Sequence, residues 1–455
     1  MNHNPDQIIL HGVRFPRAWL YQHVLVTGMT GSGKTHGVLK PLIRQILAAE
    51  QHSPNLRPAL VVFDIKGDLR PIIESALIQC GRKSDLITVG VGNGEGTFNP
   101  FADTSLTPTQ IAQQLLAAAA FSSQEASQRN KAEEMFWATA RLDVLTALIE
   151  LTQTTLRGTG TELNMQHLQR ARTLLSHSDL ELKKWISGAS GQLSEPSINA
   201  LKEWVRLPDT TRSCVTSSVG TVLAAWAREP LSRFVTPDEQ RPALNLPEVV
   251  NSGKVVVINA AQTEHAEELW PACLLLKQAL FKLALTRARQ PINQQRMVMI
   301  IIDEANRLIS THNHLSSEHI ALEAARSNRV AIVLAAQNLS GLNAVSGDTL
   351  TDKLAALCGT QIFLANTCPA TLRLAQRCFG NRIVQRRHRT LLPTLPAPQL
   401  FPGDGPEERV IQQQVTLVPE EVPRLAAATL ARLRTGAARA KLVDGSLHRF
   451  QCTFD

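Results

Sequence analysis

Two hydrophobic patterns run along this chain, and their distribution divides it into three parts. Short, β-branched apolar runs occur at Val24–Thr27, Ala59–Asp64, Asp85–Val89, Val255–Asn259, Val298–Asp303, Val330–Gln337 and Gln361–Asn366. Runs that are apolar on successive residues and close on polar or glycine residues predict strands buried on both faces of a parallel sheet. Helical stretches between several of them supply the crossovers that parallel pairing requires. From about Ala102 to Pro247 the strand pattern stops. There Met135–Leu151 places Met135, Leu142, Leu145, Leu148 and Ile149 at helical spacing. Ser197–Val205 and Arg212–Ala227 read as further helices, with breaks at Gly188–Gly191 and Leu207–Asp209. The C-terminal region is proline-rich from about Leu391 to Pro406, then predicts a helix over Val422–Leu433 and a hairpin at Asp444–Gly445. The expected fold class is α/β. Residues 1–101 and 248–455 form a mainly parallel sheet, and residues 102–247 form an inserted all-α domain.

Composition narrows the partners more than the fold. The 455 residues are 44% hydrophobic and 19% charged, as in an ordinary globular protein. A formal net charge of +8 permits a polyanionic partner without demanding one. Aromatics make up only 4%, so a nucleic-acid partner is expected to be held by its phosphates, not by base stacking. Four of the six tryptophans, Trp137, Trp185, Trp204 and Trp226, fall in the helical block and are expected in its core. The seven cysteines form no C-x-x-C pair, which suits buried thiols in a reducing cytoplasm. No run approaches the roughly 18 apolar residues of a spanning helix. The expected location is therefore cytoplasmic, with any membrane contact made through partners.

The chemistry is concentrated in a few segments. Gly28-Met29-Thr30-Gly31-Ser32-Gly33-Lys34-Thr35 matches G-x-x-x-x-G-K-[ST] and lies between a predicted strand and a predicted helix. In that setting the backbone of Gly28, Thr30, Gly31, Ser32 and Gly33 cradles phosphates at a helix N-terminus. Lys34 then neutralises the terminal phosphates, and Thr35 holds Mg²⁺. Met297–Glu304 is an apolar strand delivering Asp303 and Glu304 at its C-terminal end, where ligands sit in open α/β sheets. Asp303 is expected to reach Mg²⁺, and Glu304 to polarise an attacking water. Gln337, at the end of the next strand, is placed to sense the terminal phosphate. Arg326 and Arg329, just before that strand, are candidates for an arginine finger into a neighbouring subunit. Lys66, in Asp64-Ile65-Lys66-Gly67-Asp68, reads either as a pore-facing nucleic-acid contact or as an ion pair with Asp64 or Asp68. The cluster Arg386, Arg387, His388, Arg389 reads either as a phosphate-contacting patch or as a solvated loop.

Taken in order, these segments resemble the TraG/TraD type IV coupling proteins, relatives of the FtsK/HerA motors. The resemblance rests on the P-loop, D-x-K-G-[DE] at Asp64–Asp68, Asn99-Pro100-Phe101, the inserted block with Phe136-Trp137, the Asp303–Glu304 strand and Ala324-Ala325-Arg326-Ser327. It implies a RecA-like P-loop NTPase with an all-α domain, hexamer formation and hydrolysis of ATP with Mg²⁺. It also implies DNA-stimulated movement of DNA or nucleoprotein toward a type IV secretion or conjugation channel. The implied partners are DNA, a channel or membrane-anchoring subunit, and a relaxase or effector protein. Two features depart from the family pattern: no N-terminal transmembrane helices, and Ala305-Asn306-Arg307 after the paired acids. A second expectation, of another class, is a cytosolic receptor platform that recruits protein effectors, with the ATPase gating docking.

Overall fold

The computed structural model describes residues 6–50, 53–103, 105–122, 131–157, 159–176, 180, 183–184, 187–188, 191–261, 266–287, 291, 295–309, 318–392 and 412–452. Trp185 and the proline-rich stretch from 393 to 411 lie outside the described residues. At the centre is a nine-stranded sheet ordered β13-β12-β9-β3-β8-β7-β4-β6-β5. Its strands are β3 (Val24–Thr27), β4 (Ala59–Asp64), β5 (Leu86–Val89), β6 (Val255–Asn259), β7 (Val298–Ile302), β8 (Val330–Ala336), β9 (Thr360–Phe363), β12 (Ala437–Lys441) and β13 (Leu447–Gln451). The seven strands from β9 to β5 pair in parallel, while β12 and β13 extend the edge antiparallel.

Strand β4 shows why the apolar runs do not alternate. Leu60 and Val62 enter the core on the side of the helices Lys40–Ala48 and Leu69–Gln79, while Ala59, Val61 and Phe63 enter the core on the opposite face. Both faces are covered, so every position is apolar. The second core continues into the helices between Pro108 and Val235, where Trp204 and Trp226 are buried and Trp137 packs at its margin. The helices Lys131–Leu156, Glu195–Arg206 and Asp209–Trp226 extend beyond the three predicted helices by at most a turn, apart from additional turns on the first.

Two expectations are corrected, and one element is added. Residues Gln412–Pro423 form β11, which pairs antiparallel with β10 (Asn381–Leu392), so the helix expected from Val422 shrinks to Ala427–Ala431. Pro423 explains part of this, because it disfavours a helical conformation at Val422 and removes a donor. A short hairpin, β1 (Gln7–Leu10) with β2 (Val13–Pro16), precedes the sheet and has too few residues to show a period. Finally, Glu267–Thr286 is long and apolar enough by composition to cross a membrane, with mean hydropathy 1.3. It is a core helix, with most of its apolar stretch buried, and carries Lys277 at its centre in a buried pair with Glu318.

Candidate functional site

The P-loop connects β3 to a π-turn, Thr35–Leu39, that runs into the helix Lys40–Ala48. Gly31 and Gly33 have φ of 75° and 100°, in the left-handed region where a side chain is strained. Gly28 has no room for one: a Cβ there would lie 2.5 Å from Ser32 Oγ and 2.8 Å from Leu364 Cβ. Lys34 is buried, and its ammonium donates to the carbonyls of Gly28 (2.5 Å) and Met29 (3.4 Å). Burial pulls its pKa down, while Glu304 and Asp303 oppose the shift. A buried cation with carbonyl partners is suited to a phosphate.

Strand order brings the acids to the lysine. Strand β8 lies between β3 and β7, so Asp303 and Glu304, at the end of β7, lie two strand spacings of roughly 4.8 Å from the P-loop strand. Gln337, at the tip of β8, sits between them and donates to Glu304 Oε1 at 3.1 Å. Asp303 is buried, and both its carboxylate oxygens lack a protein donor. Burial raises its pKa to about 6. A desolvated carboxylate with free lone pairs, beside a loop offering Thr35, fits a hydrated Mg²⁺. Glu304 is also buried and has φ of 51°, an uncommon conformation for a residue with a side chain. Its Oε1 accepts from Gln337 and is ion-paired with Lys66, and its Oε2 has no partner. One oxygen is held and the other is free to accept a proton.

Lys66 therefore pairs with Glu304, and neither Asp64 nor Asp68 is its partner. Asp64 serves the loop instead: its carboxylate accepts N–H bonds from Gly67 (2.8 Å), Leu69 (3.0 Å) and Arg70 (2.9 Å). The bonds to Leu69 and Arg70 satisfy N–H groups in the first turn of the helix Leu69–Gln79, and the three together hold the turn that carries Lys66. Burial raises the Asp64 pKa although the three N–H groups pull it down. The sequence motif signalled that the segment mattered but could not assign partners across a sheet.

The arginines separate. Arg329 donates to Gln295 O at 3.1 Å. Arg326 is exposed on the turn Arg326–Asn328, at the start of β8 and so at the sheet edge opposite its own P-loop. Arg386, Arg387 and Arg389 lie on β10 rather than in a loop, within an exposed two-stranded ribbon. Arg386 pairs with Glu420 at 2.7 Å. Arg387 and Arg389 point to the other face, opposite the exposed Leu417 and Val415.

The comparisons with known proteins agree with this architecture. The family model described as type IV secretory system conjugative DNA transfer matches residues 2–394. The chain belongs to that family, the type IV coupling proteins. Among solved structures, the conjugative coupling protein fragment TrwBdeltaN70 in its unbound form is 18% identical, with TM-score 0.66 over 100% of this chain and 90% of that one. TrwB in complex with ADP and Mg²⁺ gives 18% identity and TM-score 0.63 over 100% of this chain and 90% of that chain. VirB4 of Thermoanaerobacter pseudethanolicus gives 11% identity and TM-score 0.57, over 100% and 97%. At these identities the likeness shows the fold. No curated protein matches by sequence.

Proposed function

We propose that this coupling protein is an ATP-hydrolysing motor that moves DNA or nucleoprotein toward a type IV secretion channel. The observation that carries the reading is the convergence of Lys34, Asp303 and a half-held Glu304 at the C-terminal edge of one sheet. Gly28, Thr30, Gly31, Ser32 and Gly33 cradle the phosphates of ATP, Lys34 neutralises them, and Thr35 and Asp303 hold Mg²⁺. The metal, when bound, offsets the charge of the transferring phosphoryl group. Glu304 accepts a proton from the attacking water through Oε2, while Gln337 and Lys66 fix its orientation. In outline, residues 1–101 and 248–455 form the motor core and 102–247 the inserted domain.

Arg326 lies at the opposite end of its strand from its own site, so its role as a finger requires a ring, a hexamer in this proposal, in which it completes a neighbour's site. Arg386, Arg387 and Arg389 contact DNA phosphates in this reading. Attachment at the inner membrane runs through a channel or anchoring subunit, and a relaxase or effector brings the cargo. The test is ATP turnover with and without single- and double-stranded DNA at low salt, alongside native mass with an ATP analogue and DNA. Stimulation and a ligand-dependent hexamer are expected, and Arg326→Ala should abolish turnover only in the ring. Turnover indifferent to DNA, with no gel retardation, overturns the translocation part.

A further inference from the structure

A second basic site lies beside the P-loop, on the antiparallel edge of the sheet. Arg432, Arg434, Arg439 and Arg449 line one open cavity of about 590 Å³, with Thr429 and Gln451. Among the described residues no carboxylate lines it and no ion pair involves any of the four. Elsewhere this chain pairs its arginines readily, as in Arg70 with Glu74 and Glu95, Arg82 with Asp85 and Arg377 with Asp352.

The pairing register makes the cavity unusual. Strand β12 buries Ala438 and Ala440 on one face, which sends Arg439 to the other. Arg449 stands directly opposite Arg439 on β13. Facing like charges across a ladder destabilise it. Among the described residues Arg439 has only the Ala438 carbonyl as a hydrogen-bond acceptor, at 3.1 Å, and its pKa is lowered by burial and then by Arg449. An anion bridging the two guanidinium groups removes that conflict, and their planar forks match phosphate oxygens.

The cavity is also tied to the nucleotide loop. Gly436, between Arg434 and Arg439, donates to Ser32 O at 2.8 Å, and Cys452 N donates back to Gly436 O at 2.8 Å. Gln451 donates to Thr435 O at 3.0 Å. Whatever orders this hairpin bears on the backbone of the P-loop. The volume is that of a small-ligand pocket, large enough for one nucleotide-sized group.

We propose that this cavity is a second anion site, separate from the P-loop, which takes a phosphate-bearing group. That group comes either from a free nucleotide or from one unit of a nucleic-acid strand. The inference goes beyond the hydrolysis reading and does not need it.

The test uses the full chain carrying Lys34→Ala, which silences the P-loop. Inorganic pyrophosphate is titrated calorimetrically at low salt, and a labelled single-stranded oligonucleotide by anisotropy. One pyrophosphate site is expected, weakened at least about tenfold by Arg439→Gln with Arg449→Gln, the loss of roughly one charge-assisted contact. Oligonucleotide affinity that falls with the same pair identifies a nucleic-acid source, and affinity that does not fall identifies a free nucleotide. Arg432→Gln, outside the ladder, gives the same loss without touching the strand pairing. The melting temperature supplies a check on folding: the Gln pair should melt higher than its parent without ligand and should gain nothing from pyrophosphate. Absence of pyrophosphate binding to the Lys34→Ala protein, or binding that ignores all three arginines, overturns the proposal. Neither result touches the ATPase reading, which fails separately if wild-type protein turns over no ATP.

Discussion

Replacing Lys66 by Met removes one of the two groups holding Glu304, and its effect can be worked from the structure. Glu304 is buried, and its side chain is 1% exposed against 32% for Lys66. Gln337 remains on the same oxygen. A hydrogen bond to a charged group contributes about 1.5–3 kcal/mol net, and the partly exposed lysine places this one toward the lower end. If that energy orients Glu304 in the transition state, kcat falls by about ten- to thirtyfold. The ATP KM should stay put, because Lys66 contacts the carboxylate and not the nucleotide cradle. Lys66→Arg should retain most of the rate. Glu304→Gln, which removes the proposed base, should cost about 10²–10⁴ in kcat. The double variant Lys66→Met with Glu304→Gln should turn over no more slowly than Glu304→Gln alone, since two residues acting through one group are non-additive. Steady-state phosphate release on the four proteins measures the cycle. A Lys66→Met protein at full rate refutes the reasoning. So does the same fold-loss in both backgrounds, which would place Lys66 in some other role.

Three further outcomes follow from named contacts. His23 is buried, accepts from Ile332 N at 3.2 Å and meets Leu322 O at 2.8 Å, and burial lowers its pKa to about 4 from 6.5. The unfolded chain therefore takes up the proton first, so stability is lost as pH falls from about 6.5 toward 4, by about 3 kcal/mol in all. Melting curves across that range should show this, and His23→Gln should flatten them. Gly28→Ala forces a Cβ against Ser32 Oγ at 2.5 Å, so about 1–3 kcal/mol of stability and nucleotide affinity should be lost together. An unchanged melting point with unchanged fluorescent-nucleotide binding would contradict that geometry. Asp303→Asn should leave nucleotide binding in chelator unaffected and abolish the tightening that added Mg²⁺ brings. If both proteins respond equally to Mg²⁺, Asp303 is not at the metal.

The seven central strands, the P-loop and the acid pair were legible because each is local. A run buried on both faces has no polar positions to interrupt it, and a phosphate cradle needs its glycines and lysine within one turn. The exposed ribbon of β10 and β11 was missed because neither face is buried along its length, so no alternation marks it. The helix expected over Val422–Leu433 is shortened to Ala427–Ala431 in part because Val422 and Pro423 pair with Arg382 and Asn381, a partner strand outside the segment.

By itself, then, the sequence determined the family and singled out the residues proposed to cradle a phosphate, hold a metal or move a proton. Only the tertiary structure decided how they share the work. Inserting β8 between β3 and β7 set Gln337 between Lys34 and Glu304. Three N–H bonds to Asp64 aimed Lys66 at a carboxylate 238 positions away in numbering (304 − 66). The register of β12 on β13 set Arg439 against Arg449. Such pairings depend on strand order and register, which are fixed by burial summed over the whole sheet and leave no mark in any short stretch of chain.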